Sequence, residues 1–128
     1  MADLLYKEES YNIIGSCFTV HRKLGPGFLE SVYQEALEKQ FIKDAIPYER
    51  EKILKIQFDG DQLKKTFKAD YVCYDKIIVE LKASSFIHND NLDQTYNYLR
   101  STEFKLGLIV NFGQKSLVYK RILNSYNS

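Results

Sequence analysis

The sequence predicts one α/β domain in which a mixed β-sheet is flanked by helices. Apolar residues recur at helical spacing through the first third of the chain, switch to a period of two after Ile46-Pro47, and return to helical spacing before two closing strands. The run Ile77-Ile78-Val79-Glu80-Leu81-Lys82 is apolar but for its two charges, the pattern of a strand inside a sheet. The resulting order is helix, helix, three-strand meander, helix, strand, strand (α-α-β-β-β-α-β-β). A parallel join through the third helix would be a right-handed crossover.

In chain order, Ile13, Ile14, Cys17, Val20 and Leu24 mark a helix from about Glu8 to Leu24, which Gly25-Pro26-Gly27 breaks. Leu29, Val32, Tyr33, Ala36, Leu37 and Phe41 give the second helix a broad apolar stripe, with Ser31, Glu35 and Glu38 opposite. At roughly 100° per residue, Glu30 falls between Leu37 and Phe41, inside the apolar sector. Leu54, Ile56 and Phe58 then alternate with Ile53, Lys55 and Gln57, and Asp59-Gly60 supplies a hairpin turn. Strands follow at about Lys64–Tyr74 and Lys76–Ala83. Asn89-Asp90 caps a helix to about Ser101, with Leu92, Tyr96 and Leu99 on one face and Asn91, Gln94 and Tyr98 on the other. Leu106–Val110 is a nearly all-apolar strand, Leu117–Ile122 alternates again, and Asn124–Ser128 is a polar tail.

A chain of 128 residues supports one core, with residues 1–128 as a single domain, and leaves no room for a separate recognition module. Selectivity must then come from the core itself, a homodimer or a larger protein partner. The formal net charge of +1 lacks the electrostatic footprint of a tight non-specific duplex binder, although Lys64, Lys65 and Lys68 form a local patch. Cys17 on a helix stripe and Cys73 in a strand, with no CxxC or Cys/His spacing, read as reduced core thiols rather than a zinc site. The N-terminus lacks a basic region followed by an apolar stretch, and no run approaches transmembrane length. A soluble cytoplasmic protein with no membrane partner is the expectation.

Asp70 and, ten positions later, Glu80-Leu81-Lys82 place two carboxylates and an amine on a strand pair, a set suited to metal-dependent phosphodiester hydrolysis. Alternation sends Ile78, Glu80 and Lys82 to one face and Ile77, Val79, Leu81 and Ala83 to the other. A three-residue turn at Tyr74-Asp75-Lys76 sets Asp70 opposite Glu80, whereas a two-residue turn would put it on the other face. Like charges facing each other destabilise a ladder unless these hard oxygen ligands hold Mg²⁺ or Mn²⁺. The competing reading of Glu80 and Lys82 is a surface ion pair. Glu30 either complements the helix dipole or points into the same cluster, and Gly25-Pro26-Gly27 is either a phosphate-holding loop or a plain connector. His21 reads as a packing histidine with a smaller chance of a direct role, and His88 lies where it could touch phosphate.

The element order, with Asp70 and Glu80-Leu81-Lys82 on the second and third strands, resembles the restriction-endonuclease-like core of the PD-(D/E)xK nuclease superfamily. Gly27-Phe28-Leu29-Glu30-Ser31-Val32-Tyr33 reproduces the pattern that names the GxxExxY family. His21–Gly27, Val79–Ala83 and Leu106–Gly113 also look like that family, so the resemblance covers nearly the whole chain. It implies Asp70 and Glu80 as metal ligands, with Glu30 matching the helix-borne acid of many members and so a third ligand, and Mg²⁺ or Mn²⁺ as cofactor. It implies Lys82 as the group that orients the attacking water or stabilises developing charge. Gln94 and Tyr98 match the Gln-x-x-x-Tyr signature of recombination-type exonucleases, Gln94 in a catalytic role and Tyr98, with Tyr33 and His88, in substrate binding. Ala69 stands where the nominal motif has proline, which leaves the ligand untouched.

The leading expectation is therefore a Mg²⁺-dependent nuclease acting on DNA or RNA. The rivals are a non-catalytic nucleic-acid-binding module on the same fold, and a protein-interaction subunit that docks a larger partner through Tyr6, Tyr11 and Tyr126.

Overall fold

Residues 4–124 are described by the computed structural model, the side chain of Asn91 excepted; Tyr126 and the end of the polar tail lie outside them. Lys7–Leu24 forms α1 and Glu30–Lys43 forms α2. Between them Gly25 and Gly27 take φ of 72° and 109°, a backbone that side chains with a Cβ rarely adopt. The meander is β1 (Tyr48–Phe58), β2 (Asp61–Cys73) and β3 (Ile77–Lys82), followed by α3 (Asn89–Arg100), β4 (Leu106–Asn111) and β5 (Val118–Leu123). The five strands lie in the order β1-β2-β3-β4-β5, antiparallel except for the parallel β3–β4 pair joined through α3. The α/β, restriction-endonuclease-like arrangement expected from the sequence is the one formed.

Alternation divides the sheet into two faces. Ile77, Val79 and Leu81 of β3, with Leu106, Leu108 and Val110 of β4, pack under Ile13, Cys17, Val20, Leu37 and Phe41 of α1 and α2. Ile78 and Val72 face the other way, toward Leu99 of α3. Cys17 and Cys73 are buried thiols in the first core, and burial pushes the Cys73 pKa up to about 12. Such a thiol stays protonated and packs as a small apolar group.

Three expectations about the elements need correction. Leu29 and Val32 do not join the buried stripe of α2: Leu29 occupies the position before the helix and is 75% exposed, while Gln34 is buried in their place. Glu38 is not on a free polar face but is half-buried, 2.9 Å from Arg50 and accepting from the Tyr48 hydroxyl at 3.0 Å. The cap position of α3 is His88, with no side-chain cap bond, and Asn89 and Asp90 fall within its first turn.

The turns set the register. Asp59 and Gly60 both take positive φ, as a tight hairpin requires, and Phe58 pairs with Asp61. Tyr74 and Asp75 also take positive φ, and Lys76 N–H donates to Cys73 O at 3.0 Å. Cys73 pairs with Ile77, so the connection has the three residues that bring Asp70 level with Glu80.

Candidate active site

The β2–β3 ladder ends at Tyr71 and Val79, one residue short of Asp70 and Glu80. On the other side of β2 the ladder to β1 skips the Glu51–Asp70 pair, and Glu51 sits in the left-handed region at φ 53°. A left-handed residue within a strand bends it and opens the pairing. The packing changes there too. Tyr71 and Cys73 belong to the α1–α2 core, but Ala69 and Phe67, which continue the same alternation, pack with Leu54 and Leu99 on the α3 side. Asp70 thus occupies the point where three strands part.

Side chains fill the gap left by the ladder. Asp70 N–H donates to a Glu80 carboxylate oxygen at 3.2 Å, and Leu81 N–H donates to an Asp70 carboxylate oxygen at 2.7 Å. Glu80 is only 9% exposed, so burial first and the neighbouring Asp70 second push its pKa up, to about 8. Burial raises Asp70 as well, against the Leu81 N–H bond and the Lys82 charge, which lower it. Glu30 is exposed at the start of α2, yet partial desolvation and then Asp70 raise its pKa while Lys82 lowers it. All three carboxylates lie within the field of the half-buried Lys82 ammonium, and Glu30, exposed in the first turn of α2, lies within that of Asp70.

The remaining expected residues are more dispersed. His88 lines a cleft of about 350 Å³ with Phe28, Leu29, Glu30, Lys82, Ala83 and Ser84. Tyr33 does not line it, a correction to its expected contact with substrate: the side chain is wholly buried, stacked on Phe112 at 4.8 Å, and its hydroxyl donates to Gly25 O at 2.5 Å. That hydroxyl also accepts from Phe28 N–H at 3.3 Å, so Tyr33 holds the loop leading to Glu30. Tyr98 stacks flat on Phe67 at 4.3 Å, which fastens α3 to β2 and uses one face of the ring. Gln94 is exposed one turn earlier, and among the described residues no hydrogen bond joins it to Asp70, Glu80 or Lys82. His21 is buried, with Nε2 2.8 Å from Gln114 O, the packing role expected of it.

Two residues escaped the sequence reading. Gln34, one turn after Glu30, contacts Asp70 O at 3.5 Å and accepts from the Tyr71 hydroxyl through its own backbone carbonyl at 2.5 Å. Asn111, wholly buried and level with Lys82 in the parallel ladder, clamps the segment just after that lysine. Its amide accepts from Ser84 N–H and Gly113 N–H, both at 3.1 Å, and donates to Ser84 O and Gln114 Oε1, both at 2.9 Å. Gly113 lets the loop approach, since a Cβ there would collide with the backbone of Ala83 and Ser84. The available signal was a lone Asn ending the apolar run Leu106–Val110.

Among the described residues no three His, Cys, Asp or Glu side chains converge as a ready-made metal cage. The donor set still suits Mg²⁺ or Mn²⁺: these ions take hard oxygen ligands, and Mg²⁺ keeps several waters and needs only one or two carboxylates. Asp70 and Glu80 supply two, both with pKa values raised by burial. A larger open groove, lined by Tyr6, Tyr11, Ile14, Leu108, Tyr119 and Arg121 among others, includes none of the candidate catalytic, metal or substrate residues, but two of the tyrosines expected to dock a partner. No described helix is long and apolar enough to cross a membrane.

Comparison with known proteins bears on the same elements. A family model for the PD-(D/E)XK nuclease superfamily matches residues 7–122. Neither the curated proteins nor the solved structures include a significant match. The family match runs from the first residue of α1 into β5 and takes in every element between, and the chain belongs to the PD-(D/E)XK nuclease superfamily.

Proposed function

We propose that the protein is a nuclease of the GxxExxY type that hydrolyses phosphodiester bonds in DNA or RNA with Mg²⁺ or Mn²⁺ as cofactor. The observation that carries this reading is the gap in the ladder at Asp70 and Glu80, where two carboxylates face each other in place of a strand pair, within the field of Lys82. Held by Asp70 and Glu80, with Glu30 nearby, the ion would polarise a phosphoryl oxygen and lower the pKa of coordinated water. Lys82 sets positive charge against the charge that develops on the phosphoryl oxygens in the transition state. Glu30, solvent-accessible and raised, is placed to take the proton released as water adds to phosphorus. The ester P–O bond breaks, its oxygen gains a proton, and the products are a phosphate monoester and a hydroxyl. His88 lies on the wall of the cleft that opens on Lys82 and is suited to contact a flanking phosphate. Exposed Gln94 and half-buried Tyr98, both on α3, remain candidates for positioning substrate.

A second reading rests on one observation. Both carboxylates accept backbone N–H bonds that replace missing ladder bonds, so the pair also serves to end the β2–β3 ladder, as it would in a non-catalytic module. Cleavage of a panel of labelled oligonucleotides with Mg²⁺, Mn²⁺ or EDTA separates the two. Metal-dependent cleavage lost in Asp70→Asn and Glu80→Gln supports the nuclease; no cleavage above the Lys82→Ala background on any substrate supports the module.

A further inference from the structure

The cleft beside Lys82 has ring-bearing walls. Phe28, from the α1–α2 loop, lines the cleft and is 46% exposed, its ring set perpendicular to that of Tyr33 at 6.1 Å. From the β3–α3 loop, exposed His88 lines the same cleft, and its ring lies 4.2 Å from that of Phe86, which is 53% exposed. The loop is held in shape by Ser84, whose hydroxyl donates to Phe86 O at 2.7 Å and whose backbone is clamped by Asn111. Two ring-bearing side chains from different loops, Phe28 and the His88 that Phe86 packs against, therefore line the cleft with Glu30 and Lys82. Burying rings of this size would have stabilised the fold, so their exposure at one cleft is costly without an occupant.

From this geometry we infer that the cleft takes an unpaired nucleobase, and that the substrate is a single strand or a splayed end rather than an intact duplex. The inference rests on the nucleic-acid part of the function proposed above and not on turnover. Aromatic side chains stack on bases whose faces are free, whereas a duplex buries those faces in its own stack. The cleft, at about 350 Å³, lies near the lower end of the roughly 300–1,000 Å³ of small-ligand sites, room for one flat group beside the phosphate held at Lys82. Charge points the same way. Duplex binding without base contacts relies on many phosphate contacts, and a chain of net charge +1 is poorly equipped for that, whereas stacking supplies affinity without charge.

The test is equilibrium binding by fluorescence anisotropy, in EDTA so that no strand is cut. The probes are single-stranded DNA, single-stranded RNA, a duplex and a single strand with abasic sites. We expect a single strand of DNA or RNA to bind more tightly than the duplex, the comparison of the two identifying the preferred sugar. The abasic strand should bind roughly ten-fold more weakly than the normal one. Phe86→Ala and Phe28→Ala should cost a similar factor, Phe86→Trp should restore binding, and Tyr11→Ala, in the separate groove, should change nothing. Both phenylalanines are largely exposed, and an unchanged melting temperature verifies that the variants fold. Equal affinity for duplex and single strand, full affinity for the abasic strand, or no binding at all would overturn the proposal. So would sedimentation showing a dimer that dissociates in Phe86→Ala, which would assign the rings to a second copy of the chain. Single-strand binding that needs the rings but comes without metal-dependent cleavage would sustain the inference and refute only the nuclease.

Discussion

Lys82 and Glu80 carry opposite expectations although they share a strand. Lys82→Ala removes a cation needed mainly in the transition state, so kcat should fall by about two orders of magnitude or more while metal binding persists or tightens, as rapid-quench cleavage and calorimetry would show. Glu80→Gln removes a buried like-charge contact and a ligand together. Without metal at pH 8 it should raise stability by about 1 kcal/mol, a few degrees in Tm, and it should abolish the Mg²⁺-induced shift. The pH dependence follows from the raised carboxylates. Between the ordinary value of 4.5 and about 8, folded Glu80 keeps a proton that the unfolded chain has released. Its stabilising contribution is thus full below about pH 4.5 and lost as pH rises through about 8, with Asp70 and Glu30 displaced in the same direction. In EDTA, Tm should decline from pH 5 to pH 8, and Glu80→Gln should flatten that slope; a flat wild-type profile would contradict the electrostatic account. In sequence Glu30 reads either as a dipole partner or as part of the cluster, and it lies exposed in the first turn of α2 on the wall of the cleft it shares with Lys82. Tyr33 carried no warning of its buried role, because a tyrosine near a site and a tyrosine under its loop are alike in sequence.

Among the elements, β3 and β4 act on the site through the loops at their ends. Asn111→Ala leaves two N–H groups and a carbonyl around Ser84 and Gly113 without their partner, which should cost about 2–3 kcal/mol. Because the clamped Ser84 lies two residues after Lys82, kcat should also fall more than KM rises, measured well below the lowered Tm. A variant that is destabilised yet keeps wild-type kcat would show that the clamp serves the fold alone. The buried run of β3 followed from alternation, a local property, whereas the facing of Asp70 and Glu80 hung on the turn length, which the Cys73–Ile77 pair sets at three residues. The opening of the ladder on both sides of Asp70 did not follow from alternation, since it depends on Glu51 taking a left-handed backbone against its neighbours. Similarly, Gln34 reads as an ordinary polar residue until α2 is docked and its amide lies against Asp70 O.

At the scale of the whole molecule, near-neutral charge and a small cleft predict modest affinity with shallow salt dependence. With two phosphate contacts to a single strand, binding should weaken by less than about ten-fold between 50 and 200 mM salt; a loss of a thousand-fold would mean an extended phosphate track instead. Periodicity and turn chemistry in the sequence determined the element order, the mixed sheet and the face shared by Glu80 and Lys82, because each depends on neighbours a few residues apart. The tertiary structure alone decided that Tyr33 and Asn111 are buried supports, that Gln34 reaches Asp70, and that Phe28 and His88 line one cleft. These are contacts between segments distant along the chain. Side-chain identity and spacing do not specify them until α2, β3 and β4 are packed and solvent is excluded between them.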